Sequence, residues 1–291
     1  FFNELFENYE RLEKNEPLLP KKQLLRYIDY SIWQRSLFEK DPSYLTKNIE
    51  FWKKILDGIP AAIELPTDFP RPAKRSFQGS TILFPFDRAL SDGVLKFCAE
   101  YDTNPFLLTF SAFVLMLSHY SRQKDIVVGT PVAGRHHHET ESLIGLFINT
   151  LALRVQIDDS TSLINFLSFV KTHFLGALDH SELPFDKVVD AVQAQRVLNS
   201  SPIFQVMFSV EDAFPKGKVG ADLTYESLST KSSTSKFDLL ATIEQSPCHF
   251  DLIFEYSSEI WSQQTVELMA SHFLKILENF IAAPHEKLMD L

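Results

Sequence analysis

Residues 125–132 read DIVVGTPV, and after a polar stretch residues 143–157 read LIGLFINTLALRVQI. The first is a continuous apolar run of strand length, the signature of a strand buried on both faces. In the second, Leu151, Leu153, Val155 and Ile157 alternate with smaller or polar residues, which predicts another sheet strand. On the N-terminal side stands an apolar run over 105–117, led by Asn104 with Pro105 at its first position, the chemistry of a helix start. On the C-terminal side Leu163, Phe166, Val170, Phe174 and Leu178 recur at helical spacing over 162–178, with Asp159, Ser160 and Thr161 available as caps. Helix, strand, strand, helix is the start of a mixed α/β fold.

The same reading extends outward. Residues 80–86 predict a strand and the next segment a helix capped by Ser91 or Asp92, while 203–210 predicts a strand. Residues 213–235 mix Pro, Gly, Lys and hydroxyl residues, which suits a long excursion with at most one short strand. Residues 237–244 and 249–256 alternate as an antiparallel pair across Ser246 and Pro247, and 264–281 closes the chain as a helix before Pro284. Nearer the N-terminus, 47–56 carries Ile49, Phe51, Trp52, Ile55 and Leu56 as an amphipathic helix stopped by Gly58 and Pro60. Pro60, Pro66, Pro70 and Pro72 then crowd a loop that marks the main internal boundary. Phe1, Phe2, Leu5, Phe6, Tyr9 and Leu12 share a helical face with no cap before them, so that helix is expected to begin upstream. No internal repeat has a fixed period.

Composition limits the function. The 291 residues suit about two compact units, and 26 Phe against 9 Gly call for a sizeable core. A net charge of −10 without a basic stripe disfavours nucleic acid and anionic membrane surfaces. Cys98 and Cys248, read as two buried thiols, make no disulfide framework or metal spacing and fit the reducing cytoplasm. The run over 105–117 is too short to span a bilayer. With Phe1 first and no signal-peptide pattern, the chain reads as a piece of something longer.

Most catalytic signatures are missing. There is no G-x-S-x-G elbow, no G-x-G-x-x-G and no G-x-x-x-x-G-K. His136, His137 and His138 precede Glu139 and Glu141, but adjacent side chains diverge and no H-E-x-x-H closes the set, so a solvated loop is expected and no metal. His180 ends a helix in HSELPFD and suits the helix C-terminal dipole. His119 and His173 read as packed, and His249, His272 and His285 stand without a partner set. Gly145 beside bulky residues at a strand start suggests close backbone approach, and Asn149 is a polar group in an apolar run. Both also suit a plain turn whose Asn is satisfied locally.

Several stretches occur in a telling order: YIDYSIWQ (27–34), ELPTDFPRP (64–72), DIVVGTPVAGR through ETESLIGLFINTLALR (125–154), HSELPFDKVVD (180–190), SPIFQVMFS (201–209) and SKFDL (235–239). Together they closely resemble the condensation domain of nonribosomal peptide synthetases, over essentially the whole chain. The resemblance implies a chloramphenicol acetyltransferase-like mixed α+β sandwich of two lobes around a tunnel. Residues 1–58 would be the tail of the first lobe, 59–76 an interlobe linker and 77–291 the second lobe. It implies amide formation between an acyl or peptidyl thioester and an aminoacyl thioester, both on phosphopantetheine arms of carrier-protein domains, with an adenylation domain adjacent and no cofactor bound directly. Ester-forming, epimerising or cyclising relatives, or a non-catalytic carrier-binding remnant, are the alternatives.

The family's HHxxxDG histidine is absent: the Asp57-Gly58 and Asp92-Gly93 pairs have Lys53 and Arg88 four residues earlier. It is therefore expected upstream of Phe1, leaving this chain alone inactive and without a catalytic residue. By resemblance Gly145, Phe147, Asn149 and Thr150 lie close to the tunnel, with Ser209 a further candidate. Tyr27, Asp29, Trp33, Gln34, Arg154, His180, Pro184 and Phe185 match motifs read as structural, although Ser181 and Asp186 replace the family's Gln and Glu. Arg196 matches an R-D motif whose Asp is Val197 here, so the charge partner that motif supplies is missing.

Overall fold

The computed structural model describes residues 2–18, 25–193, 201–214, 217–219, 223–226 and 232–290. In chain order the elements are helices α1 (Phe2–Glu13), α2 (Tyr27–Lys40) and α3 (Pro42–Ile55), strand β1 (Gly79–Pro85), helices α4 (Arg88–Glu100) and α5 (Pro105–Ser121), and strands β2 (Asp125–Val132) and β3 (Asn149–Gln156). Helices α6 (Leu163–Leu178) and α7 (Phe185–Ala191) follow, then strands β4 (Val206–Asp212), β5 (Gly217–Val219), β6 (Leu223–Tyr225), β7 (Leu239–Ser246) and β8 (His249–Ser257), and helix α8 (Gln263–Ala282). Contacts group the chain into a larger unit, Lys47–Val132, Asn149–Asp212 and Lys231–Leu291, and a smaller one, Phe1–Thr46, Ala133–Ile148 and Ala213–Thr230.

The larger unit is built on a six-stranded sheet of order β1-β8-β7-β4-β2-β3. DIVVGTPV pairs antiparallel with β3 along its whole length, Asp125 opposite Gln156 and Val132 opposite Asn149. β4 runs parallel to β2 and β7, and β1, β8 and β7 form antiparallel pairs. Helix α5 is buried along most of its length, packing on α8 and on β2 and β4, because its sequence is apolar on every face. Phe110, Phe113 and Phe208 meet there, with ring centroids of 5.6 Å and 5.3 Å to Phe208. Asn104 caps α5 as expected, its side chain accepting from Leu107 N–H at 2.9 Å, and Ser162 caps α6.

Strand β1 sits one residue before the expected 80–86 and β7 two residues after 237–244, and the α6 cap is Ser162 rather than Asp159, Ser160 or Thr161. Four further features depart from the sequence reading. Helix α3 starts at Pro42 rather than 47, because the Asp41 carboxylate accepts from Tyr44 N–H at 3.0 Å and the Ser43 hydroxyl at 2.5 Å. Helix α4 is capped by Asp87, which accepts from Leu90 N–H at 2.7 Å, and not by Ser91 or Asp92; Ser91 is buried inside the helix. Strand β4 begins at Val206 rather than 203, since Ile203 has φ of +71°, a left-handed backbone no β-branched residue carries into a strand. The excursion over 213–235 holds two short paired strands, β5 and β6, not one. A last departure concerns Cys248: it is exposed in the β7–β8 turn, whereas Cys98 is buried and its thiol is pushed up to about 11 by that burial.

The proline-rich segment belongs wholly to the larger unit and is fixed without helix or sheet. Ile63 N–H donates to Gln205 Oε1 at 2.9 Å, Glu64 N–H to Gln123 Oε1 at 2.9 Å, and Trp261 Nε1 to the Pro66 carbonyl at 2.7 Å. Asp68 and Phe69 donate to the Ile260 carbonyl, and Arg71 grips the buried Asp238 through two bonds of 3.0 and 2.6 Å. Proline cannot join a backbone ladder, so side chains and the Ile260 carbonyl of the larger unit supply the partners instead.

In the smaller unit, Phe6 of α1 stacks on Tyr225 of β6 at 4.4 Å, and Phe214 meets Phe2 at 4.7 Å and Tyr225 at 6.1 Å. Aromatic packing holds these short elements together.

Candidate functional site

In the larger unit the β3 start is tied to the HSELPF turn by one side chain. The Asn149 amide donates to the Ser181 carbonyl at 2.7 Å and the Leu183 carbonyl at 2.8 Å, and its oxygen accepts from Phe185 N–H at 3.1 Å. All three partners are backbone groups of the 181–185 turn, which is what a polar residue does at the start of an otherwise apolar strand. Pro184 sets the start of α7, and Phe185 packs on Phe204 with centroids 5.3 Å apart. Phe204 in turn lies over Gly129, where a Cβ would fall 2.2 Å from the ring.

His180 is held from α3. Its Nδ1 is 2.7 Å from Asn48 Oδ1, and since an amide oxygen only accepts, Nδ1 carries the proton. Its ring stacks on Phe51 at 3.9 Å, and Trp52 Nε1 donates to its backbone carbonyl at 3.2 Å. Burial, helped by the nearby Lys47 charge and opposed by Asp179, lowers its pKa below the ordinary 6.5. The partner expected from sequence, the helix dipole, is thus replaced by an amide. Arg154 pairs with Asp125 at 2.9 and 2.6 Å and donates to the carbonyls of Ile55 and Asp57 at 3.0 and 2.7 Å. It therefore binds the last turn of α3 to the edge of the sheet, and the hydrogen bond to Asp125 raises its pKa further. Thr150 lies opposite Pro131 in the β2–β3 register. Ser209 is 3% exposed, its hydroxyl 3.0 Å from Thr242 Oγ1 of the neighbouring strand.

In the smaller unit Gly145 accounts for a close approach: a Cβ there would lie 2.2 Å from the Tyr27 ring. Tyr27 also donates through its hydroxyl to the Leu146 carbonyl at 2.9 Å. Phe147 is enclosed by Tyr27 at 5.2 Å, Tyr30 at 4.7 Å and the Arg135 guanidinium 4.1 Å above its ring. Arg135 is steadied by the Thr140 carbonyl. Asp29 accepts from Arg26 N–H at 2.9 Å and so caps α2. Trp33 meets His137 edge-on at 4.8 Å, and Gln34 reaches the Tyr30 hydroxyl at 3.4 Å. Arg196 lies outside the described residues.

Sequence reasoning missed Asn48, Tyr30, Arg135 and Asp125. Asn48 left a signal, a polar residue next to Ile49 and one turn before Phe51 and Trp52 on a helix that buries this side; it is 1% exposed. Tyr30 left none, because its contact with Phe147 joins segments more than a hundred residues apart, and Arg135 left none, because a guanidinium over a ring has no local spacing signature.

The family model of the condensation domain matches residues 1–291. The chain belongs to the condensation-domain family. Among curated relatives, tyrocidine synthase 3 of Brevibacillus parabrevis is 35% identical over 267 residues, covering 92% of this chain and 4% of that protein. Bacitracin synthase 3 of Bacillus licheniformis is 34% identical over 257 residues, covering 88% of the chain and 4% of that protein. This condensation-domain chain thus spans about 4% of the length of those two relatives. Among solved structures, the four-domain nonribosomal peptide synthetase holo-AB3403, bound to AMP and glycine, superposes with a TM-score of 0.79 at 26% identity, over 84% of this chain and 20% of that one. The X-domain from teicoplanin biosynthesis superposes with a TM-score of 0.86 at 21% identity, over 97% and 65%, which establishes the fold alone. The mixed α/β class expected of a condensation domain is the one observed. Among the described residues, no helix of this condensation-domain chain is long and apolar enough to cross a membrane.

Proposed function

We propose that this chain is the downstream part of an amide-forming condensation domain. It would act on an acyl or peptidyl donor and an aminoacyl acceptor, each held as a thioester on the phosphopantetheine arm of a carrier domain. The observation that carries this reading is the full-length family match, joined to 34–35% identity with two peptide synthetases. Such a reaction asks for aligned thioesters, an aligned amine and a site poor in water, which is positioning work more than covalent chemistry. Gly145, Phe147, Thr150 and Ser209 are assigned to the substrate-lining set, and Asn149 to positioning, since its amide is committed to the 181–185 turn. None of the nine histidines stands in an HHxxxDG setting, so the histidine beside the reacting amine is assigned to residues outside this chain. The lobe limits 1–58, 59–76 and 77–291 belong to the same proposal, as do carrier and adenylation domains as neighbours and the cytoplasm as the compartment.

The experiment supplies two loaded carrier proteins either to the natural polypeptide that contains this chain or to the 291-residue chain alone. Mass spectrometry should find an amide on the acceptor arm only with the longer polypeptide. Steady amide formation by the short chain would overturn the assignment of the histidine, and an ester or a cyclised or epimerised product from the longer one would replace the amide reading.

A further inference from the structure

Within the smaller unit, α2 and the turn at His138–Thr140 line an open pocket of about 320 Å³ whose chemistry the amide-forming reading does not use. Tyr30, Trp33 and His137 contribute aromatic rings, Trp33 lying 5.7 Å from Tyr30 and 4.8 Å from His137. Leu143, 4% exposed, gives an apolar floor. Three charged residues line the same space: Arg26, Asp29 and Glu139. Arg26 already faces Asp29, its guanidinium 3.5 Å and its backbone N–H 2.9 Å from Oδ2, so these two charges offset each other. Glu139 makes no ion pair among the described residues and leaves the lining one negative charge in excess.

An excess negative charge beside several π faces favours a cation, and the kind of cation follows from the donors. Among the described residues no group of three His, Cys, Asp or Glu could hold a metal ion. Ring faces attract a weakly hydrated cation far better than a compact, strongly hydrated one. The volume admits an alkylammonium group with part of its chain. We propose that this pocket binds an organic ammonium ion, with Trp33 and Tyr30 facing its apolar shell and Glu139 supplying the counter-charge.

The test is calorimetric titration of the full chain at low salt with choline, with butylamine in its ammonium form, and with dimethylbutanol, the neutral carbon isostere of choline. At least one cation should bind roughly tenfold more tightly than the isostere. Preference for choline would identify a quaternary ammonium site, and preference for butylamine a primary ammonium site. Trp33→Ala should weaken binding roughly tenfold with Trp33→Phe intermediate, and Glu139→Gln should weaken it a few-fold and flatten its salt dependence. Arg26→Ala should tighten binding by uncovering Asp29. Melting curves without ligand separate these effects from misfolding, and Glu139, being exposed, serves as the variant least able to disturb the fold. The proposal is overturned if the isostere binds as well as the cations, if neither cation binds below about 50 mM, or if Arg26→Ala weakens binding. Because the readout is binding, its failure leaves amide formation untouched.

Discussion

Asn149 serves three backbone groups of one turn with a single side chain, and no other residue type offers two donors and an acceptor at that length. Asn149→Ala is expected to cost about 2–4 kcal/mol in urea unfolding, because partly buried backbone groups lose their partners. Asn149→Asp should be no better, since a carboxylate cannot donate to the carbonyls of Ser181 and Leu183. Gly145→Ala places a methyl group against the Tyr27 ring, and overpacking of that kind costs about 1–3 kcal/mol. His180 carries a pH prediction. Its folded pKa lies below the ordinary 6.5, so the unfolded chain binds the proton more readily. Its contribution is therefore complete above 6.5 and is lost as pH falls from there through the lowered folded value. His119 is shifted the same way, chiefly by burial, so the decisive comparison is the wild type against His180→Gln, whose melting temperature should fall less steeply over that interval. At this scale the sequence was half legible. Gly145 and Asn149 announced themselves as a small residue among large ones and a polar one among apolar ones, whereas Asn48 and Tyr30 act through partners distant in sequence.

Elements were legible where local chemistry decides them. Strand β2 starts and stops where its apolar run does, and Asn104 caps the end its side chain suggests, whereas α6 is capped by Ser162 and not by Asp159, Ser160 or Thr161. Helix α4 was misplaced because Asp87, Ser91 and Asp92 are all competent caps, and the earliest one wins when the residues after it are good helix formers. Strand β3 forms the sheet edge, and Arg154 fastens the end of α3 beside it. Arg154→Met would leave Asp125 and two helix-end carbonyls without their cation, for an expected loss of about 2–4 kcal/mol in denaturant unfolding. Gly176 is a counter-example to strain. It sits inside α6, where a Cβ would meet nothing closer than Phe51 at 3.9 Å, beside a pocket of about 200 Å³. Gly176→Ala should stabilise the chain by about 0.5–1 kcal/mol in thermal unfolding, the ordinary helix-interior difference.

At the scale of the whole molecule the sheet order was not legible, because strand periodicity says which residues face a core and not which strand lies beside which. The structure also shows an apolar surface that strand and helix periodicity did not mark. Ile144, Leu146 and Ile148 alternate with buried Leu143 and Phe147 and are 69%, 73% and 64% exposed. A ridge of this kind promotes association. Replacing Leu146 and Ile148 by Ser should raise the concentration at which sedimentation still shows a monomer, with little change in melting temperature, and a parent chain already monomeric at high concentration would contradict this.

The segment at 60–76 looks from its prolines like a natural seam at which related enzymes could be cut and rejoined. Its anchors say otherwise, since they sit at Gln123, Gln205, Asp238 and Trp261, spread over the rest of the chain. A chimera joined inside it would inherit the ribbon from one parent and its pegs from another. Hybrids that carry all four pegs with the ribbon should fold, and those that split them should be recovered mainly as aggregate.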